Sequence, residues 1–479
     1  MDFSSTIHQD GDPSVFPTSP FSAGSRQELR SLVKLALPLG FAQAGQALLG
    51  LVDVAVLGRA GAVQLAGAGL GNSVVFAISI LGIGTLLGVD PLISQALGAG
   101  DPLRARRLYW QALRVALVAS LVLAPAPVLV ASQLERLGIP PDVARACRQF
   151  VWWRLPGILA LLVFYAQRSY VQSVGAARAL LWVTAGANVM NLLGDLLLVF
   201  GGARLPAWSG PLRGIPPMGA GGSALATTLV QICEVAFLAW VVRQVPIPSH
   251  PPDLHRRLPE DTRRILRVGI PVGLQGGAEV GVFALAGFLA GRLGAESLAA
   301  HQVVLTVTGL TFTFALGIGS AAGVRVGLAV GAGDTPGARR AGLLGFATGG
   351  AFMGFAGLIF VLLRREIVAL VTDAPDIGAL AVPLFVLAGA FQISDGLQGV
   401  GAGVLRGAGD SRFTFTANMV GHYAVGLPLA LLLGFGMHQG ILGLWWGLQA
   451  GLTAVAAGLV WRFLKISGQE IVPLALPGR

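Results

Sequence analysis

The chain is short of charge: Asp, Glu, Lys and Arg make up 12% of its 479 residues. A soluble protein carries about 25%, because its surface has to be solvated, so a set of soluble domains is excluded. Cysteine is scarce as well. Cys147 lies near the start of one apolar run and Cys233 inside another, which excludes a disulfide framework and a cysteine metal site. Lysine is nearly missing, with Lys34 and Lys465 alone, so arginine carries the positive charge. No G-x-x-x-x-G-K-[ST] phosphate loop occurs, nor a soluble segment able to house a nucleotide domain, so the chain does not draw on ATP itself. Without H-E-x-x-H or a His/Cys ligand spacing, a membrane protease is disfavoured. The start, residues 1–28, is rich in Ser and Pro and carries Asp2, Asp10 and Asp12. It lacks the basic head and apolar core of a signal peptide and reads as a disordered cytoplasmic tail.

What is there is grease and glycine. Apolar residues reach 54%, Gly numbers 68 and the mean hydropathy is +0.73, a composition suited to transmembrane helices that pack closely. Twelve apolar runs are long enough to cross a bilayer, which takes ~20 residues of helix. They cover about 29–57, 66–98, 105–133, 144–172, 178–201, 220–244, 262–291, 298–331, 338–363, 376–405, 411–436 and 439–466. The fold class is therefore an all-α integral membrane bundle, with Pro38, Pro156, Pro271, Pro383 and Pro428 as candidate kinks. The net charge of +10 does not signal nucleic acid, because its arginines cluster between the runs, as in Arg104, Arg106, Arg107 or Arg256, Arg257, Arg263, Arg264. With the N-terminus inside, about 23 of the 33 basic residues fall on the cytoplasmic side and about 10 opposite, which predicts two cytoplasmic termini.

The halves repeat. Gly98-Ala99-Gly100-Asp101 with Arg106-Arg107 returns 233 positions later as Gly331-Ala332-Gly333-Asp334 with Arg339-Arg340, and the same shift carries Pro38 to Pro271 and Gly40 to Gly273. A shift of 234 carries Gly175 to Gly409 and Arg178 to Arg412. Six spans per repeat make the halves parallel, related by an axis along the membrane normal, as in transporters. The expected organisation is a tail 1–28, a first lobe 29–245, a cytoplasmic linker 246–261, a second lobe 262–466 and a cytoplasmic tail 467–479.

Ionisable groups inside spanning runs are costly and are functional candidates by default. Six carboxylates qualify: Asp53, Asp90, Asp195, Glu234, Glu279 and Asp395. Asn191 and Asp195, four apart, share one helical face. With Asp53 and with Thr227 from the polar Ser223-to-Thr228 stretch, they can ligate a sodium ion or carry a proton. The alternative, in which Asn191 and Asp195 merely bond neighbouring helices, stays open at this point. Glu279 among Gly276, Gly277, Ala278 and Gly281, and Asp395 in Gln392-Ile393-Ser394-Asp395-Gly396, form a second group; a carboxylate without a basic partner can be neutralised by a proton or a cationic compound. Asn188, Gln275, Gln392 and Gln398 are candidates to line a substrate cleft. Asp90 is expected to be structural, Glu234 is undecided, Arg325 is expected to snorkel, His301 and His422 to pack, and Trp152-Trp153 and Trp445-Trp446 to sit at membrane interfaces.

These residues resemble those of the multidrug and toxic compound extrusion (MATE) transporters over roughly residues 29–466. The resemblance rests on Leu37-Pro38 followed by Gly50-Leu51-Val52-Asp53, on Gln95-Ala96-Leu97-Gly98-Ala99-Gly100, and on Glu279 with Ala300-His301-Gln302. It is most specific in Phe391-Gln392-Ile393-Ser394-Asp395-Gly396-Leu397-Gln398, Gly403-Val404-Leu405-Arg406-Gly407 and Gly426-Leu427-Pro428, which look like the NorM-type branch. Asp53, Asn191 and Asp195 are similar to the cation-site residues of NorM-like and DinF-like members, with Asp195 where some relatives have a second Asn. The resemblance implies two lobes around a central cleft, alternating access, and amphipathic organic cations exchanged for Na+ or H+.

The function expected is thus secondary active multidrug efflux in a bacterial inner membrane, with no enzyme activity. The expected partners are small organic substrates and the bilayer; no cofactor beyond the coupling ion, no nucleic acid and no obligate protein partner is expected. Rival readings are an exporter or flippase of a lipid-linked or endogenous metabolite, a polytopic membrane enzyme and a passive channel. Acidic rather than basic mid-membrane charge argues against the first, and carboxylates spread over both repeats argue against the second.

Overall fold

The computed structural model describes residues 24–203, 206–248 and 254–474; most of the predicted N-terminal tail, part of the linker and the last five residues lie outside them. Twelve spanning helices run in order: α1 Ser25–Ala60, α2 Ala62–Gly98, α3 Pro102–Gln133, α4 Pro141–Ser173, α5 Ala177–Phe200 and α6 Ala220–Gln244, then α7 Pro259–Arg292, α8 Ala295–Gly331, α9 Thr335–Leu362, α10 Pro375–Gly407, α11 Ser411–Gly436 and α12 Gly440–Ile466. The chain is a multi-pass membrane protein. Its surface carries bare apolar side chains such as Leu121, Val122, Phe288 and Phe355, each more than 60% exposed, which only a hydrocarbon surrounding makes favourable. Helix α1 starts four residues before the predicted run because Glu28, an acid in its first turn, favours the positive helix end and finds a partner in the second lobe.

The repeated Gly-Ala-Gly-Asp is a pair of helix caps. Gly100 and Gly333 adopt φ of 75° and 73°, the left-handed conformation that glycine takes without strain. The N–H groups of Asp101 and Asp334 donate back to the carbonyls of Ala96 and Ala329 at 3.0 and 2.9 Å. Each aspartate side chain then accepts from the first turn of the next helix, from Arg104 N at 2.9 Å and Gly337 N at 2.8 Å. One four-residue string thus ends α2 or α8 and starts α3 or α9.

The lobes meet where these caps lie, at the end that carries both described chain ends. Here the repeat becomes contact symmetry: Gly84 faces Gly273 and Gly40 faces Gly317, while Gly98 sits against the Leu328 carbonyl and Gly331 against that of Gln95. A Cβ on Gly98 or Gly331 would come within 2.0 Å of those oxygens, so only glycine permits this approach. Ion pairs reinforce it. Arg325 on α8 binds Glu28 on α1 through two N–H groups at 2.8 and 2.5 Å; it pairs across the lobes rather than snorkelling, because the buried Glu28 carboxylate offers it a bidentate, charged partner. Gln95 Nε2 donates to the Gly407 carbonyl at 3.0 Å and its Oε1 accepts from Leu474 N at 2.7 Å, tying in the C-terminal segment. Farther along, Phe41 and Phe314 make an edge-on ring pair, and beyond it Leu48, Leu51 and Val54 on α1 and Leu310 on α8 are exposed. The expectation for Trp445 is corrected: it is 1% exposed and donates to His301 Nδ1 at 3.2 Å, so both serve the second lobe's core, while Trp446 is 53% exposed.

Gly331→Leu is expected to push the caps of α2 and α8 apart. Cross-linking between cysteines placed at Ala99 and Ala332 should fall several-fold, whereas Gly186→Leu, at a site where a Cβ meets nothing within 4 Å, should leave it unchanged.

Candidate functional site

Three helices of the first lobe bring one group together. Asn191 and Asp195 project from one face of α5 and are fully buried; Asp53 reaches them from α1 and Thr227 from α6. The Asn191 amide donates to Asp53 Oδ1 at 2.5 Å and lies 3.4 Å from Asp195 Oδ2. The Thr227 hydroxyl is 3.3 Å from Asp53 Oδ2 and 3.0 Å from the Ser223 carbonyl, and donates to one of them at a time. One amide therefore serves two carboxylates, and buried oxygens remain without a partner: Asn191 Oδ1, Asp195 Oδ1 and Ser223 Oγ. Such a set of oxygens can hold a proton or a hard monovalent cation. Asn188, one turn earlier, donates to the carbonyls of Gly45 and Thr184, each at 2.9 Å, and so fastens α5 to α1. A cavity of about 650 Å3 lined by Arg59, Gln64, Gln149 and Trp153 lies at the end of this lobe away from the chain termini, beyond Asp53 rather than around it.

The second lobe builds another group. Gln398 on α10 donates to Glu279 Oε1 on α7 at 3.0 Å, and Asp395, one turn before Gln398, is buried within electrostatic reach of Glu279. Asp395 makes no hydrogen bond among the described residues. Tyr423 on α11 donates to the Ala278 carbonyl at 2.8 Å, beside Glu279; around it α11 widens into π-helix over Met419–Gly426. That widening fits Pro428, which has no N–H to donate, and π turns often accompany functional sites. Gln275 is 7% exposed and Gln392 and Gln398 1% or less. Gln392 accepts from Thr311 at 2.9 Å; of the three, Gln398 is the one bonded to an acid.

The arginines were missed. Arg154 on α4 is buried, donates to Gln231 at 2.8 Å and lies within electrostatic reach of Asp53. Arg406 on α10 pairs with Asp90 on α2 at 3.9 Å, and Arg168 on α4 reaches Ser320 on α8 at 3.2 Å, so Asp90 takes part in joining the lobes. The signal was present in the sequence: each arginine stands in or against a spanning run, where charge is costly whatever its sign.

Residues 38–197 and 271–432 each match the MatE family. The chain is similar to the multidrug resistance protein NorM of Burkholderia vietnamiensis, 35% identical over 451 residues that span 92% of this chain and 95% of that protein. It is equally similar to the probable multidrug resistance protein NorM of Deinococcus radiodurans, 35% identical with 91% and 95% covered. Among solved structures, an outward-facing multidrug resistance MATE family transporter superposes with a TM-score of 0.79 at 18% identity, and a eukaryotic MATE transporter with 0.79 at 20%; each covers 92% of this chain and 96% of the other. At that identity the likeness speaks for the fold alone.

Asn191→Leu should lower stability by about 1–3 kcal/mol, because it removes the amide that donates to two buried carboxylates. Adding Asp195→Asn should recover part of that loss in a double-mutant cycle of thermal unfolding; strict additivity would show that the two side chains do not interact.

Proposed function

The chain belongs to the MatE family of multidrug efflux transporters, and from that premise we propose that it exports organic, mainly cationic compounds in exchange for Na+ or H+ by alternating access. The observation that carries this reading is the pairing of buried carboxylates with amides rather than with cations. Asp53 and Asp195 share Asn191, and Glu279 receives Gln398 with Asp395 close by. Two carboxylates so close cannot both stay charged in a low-dielectric interior without a positive charge between them. A proton, a sodium ion or a cationic substrate meets that need, and each excludes another.

The coupling follows from differential affinity. An ion shifts the balance between two lobe arrangements only if it binds one of them better. With the termini cytoplasmic, as the arginine count favours, the lobes are pinned at the inner end and the carboxylate groups face outwards, in a plasma membrane setting. In this state external ions reach Asp53, the least buried member of its group, and their binding favours release of substrate. Asp53, Asn191, Asp195 and Thr227 are assigned to the coupling ion, and Glu279 and Asp395 to ion and substrate in competition. The surplus of acid over base in the second group disfavours an anionic lipid-linked cargo.

Vesicles holding the purified protein should export a fluorescent organic cation when a sodium or a proton gradient is imposed. Asp53→Asn, Glu279→Gln and Asp395→Asn should each reduce that export to background with normal membrane insertion. Wild-type rates in both Glu279→Gln and Asp395→Asn would remove the second-lobe group from the scheme.

A further inference from the structure

Outside both groups one acid stands apart. Glu234 on α6 is 3% exposed, and its one hydrogen bond among the described residues comes from Gln46 Nε2 on α1 to Oε1, at 2.8 Å. No described Lys, Arg or His lies within ion-pair distance of it. Gln46 is seven residues before Asp53 on α1, and Glu234 is seven after Thr227 on α6. At 1.5 Å per residue each lies two turns, about 10 Å, from the Asp53 group, on the same helix faces and towards the pinned end.

We propose that Glu234 is a second proton-binding site of the first lobe, set between the Asp53 group and the interlobe contacts. This rests on the ion-coupled reading above. The carboxylate is offered an N–H by Gln46, which stabilises its shape but does not cancel its charge. A hard cation would need several oxygens around it, and the neighbour on α1 presents a donor instead, so the compensating charge is a proton. The charged and titratable groups around it bear this out. On α4, Tyr165 is within electrostatic reach, with the Arg168 guanidinium behind it, 5.6 Å from its ring centroid. Arg154, also on α4, is taken up by Gln231; α1 and α5 contribute Asp53 and Asp195, two turns away. Arg168, beside Tyr165, donates to Ser320 across the lobes. A proton entering at Asp53 thus has an acceptor on its way to the contacts that alternate.

The test has two readings of the same purified protein. Infrared spectra at neutral pH should show the carbonyl stretch of protonated carboxylic acids, and Glu234→Gln should remove one such component that Asp53→Asn leaves in place. In vesicles, Glu234→Gln should cut proton-driven export of tetraphenylphosphonium by about tenfold or more and flatten its pH profile, with Glu234→Asp restoring part of both. An infrared spectrum unchanged by Glu234→Gln, or export at the wild-type rate with an unaltered pH profile, overturns the proposal. Failure of the transport reading looks different: the wild-type protein would then export nothing under any gradient, while the infrared component would still decide whether Glu234 holds a proton.

Discussion

A negative charge inside an apolar bundle has to be balanced, and this fold balances its buried acids in two ways. Glu28 and Asp90 face Arg325 and Arg406; their counter-charge is part of the protein. Asp53, Asp195, Glu279 and Glu234 face Asn191, Gln398 and Gln46, which supply a hydrogen bond and no charge. Leaving such a carboxylate ionised and uncompensated costs several kcal/mol, so its partner has to arrive from outside. Acids answered by arginine hold the lobes together, and on the proposed reading acids answered by amides take up the mobile cation. Arg154, within electrostatic reach of Asp53, offsets one of the two charges in its group and leaves the other.

The scaffold is symmetric while the lock is not. The caps at Gly100 and Gly333, and the approaches of Gly84 to Gly273 and of Gly40 to Gly317, are repeat mates about one axis. The Glu28–Arg325 pair has no such mate: the same shift of 233 carries Glu28 to another acid, Asp261, but relates Arg325 to Leu92. Glycine faces without side chains let the two lobes approach closely, and a few asymmetric ion pairs hold this arrangement. The amide-bound acids lie in both lobes, so on the proposed alternating-access reading occupancy in either one can bias the same motion.

Much of this was legible in the chain. Span lengths follow from hydropathy because a bilayer imposes them, and the helices fall within a few residues of the apolar runs. The repeated Gly-Ala-Gly-Asp could be seen as a repeat, although its physical content, a left-handed glycine followed by an N-capping aspartate, needed the backbone. Asn191 and Asp195 could be grouped because i,i+4 spacing fixes a helical face, while Asp53 joined them as a carboxylate in a spanning run and through the family resemblance. Arg154, Arg168 and Arg406 do not stand out as buried in the sequence, because an arginine in or beside a spanning run is equally consistent with snorkelling to the interface. Gln398 stands out as a polar residue in an apolar run, but neither it nor Gln46 could be paired with Glu279 or Glu234, since each pair lies on two different helices whose contact the sequence does not give. Trp445 shows the opposite error: aromatic pairs suit interfaces, but the second lobe needed a large core residue with a partner for its N–H, and His301 supplied it.

The central claim is that a cation taken up by amide-bound acids changes how the lobes sit. Ala62 and Ala295, which open α2 and α8 at the end away from the chain termini, are repeat mates and both exposed. Spin labels at these two positions report the gap between the lobes directly. The account predicts that adding sodium or lowering the pH redistributes that distance, and that the Asp53→Asn, Asp195→Asn, Glu234→Gln, Glu279→Gln, Asp395→Asn protein no longer responds. A distance distribution in the wild-type protein that ignores both ions, or a response that survives neutralising all five acids, would contradict it.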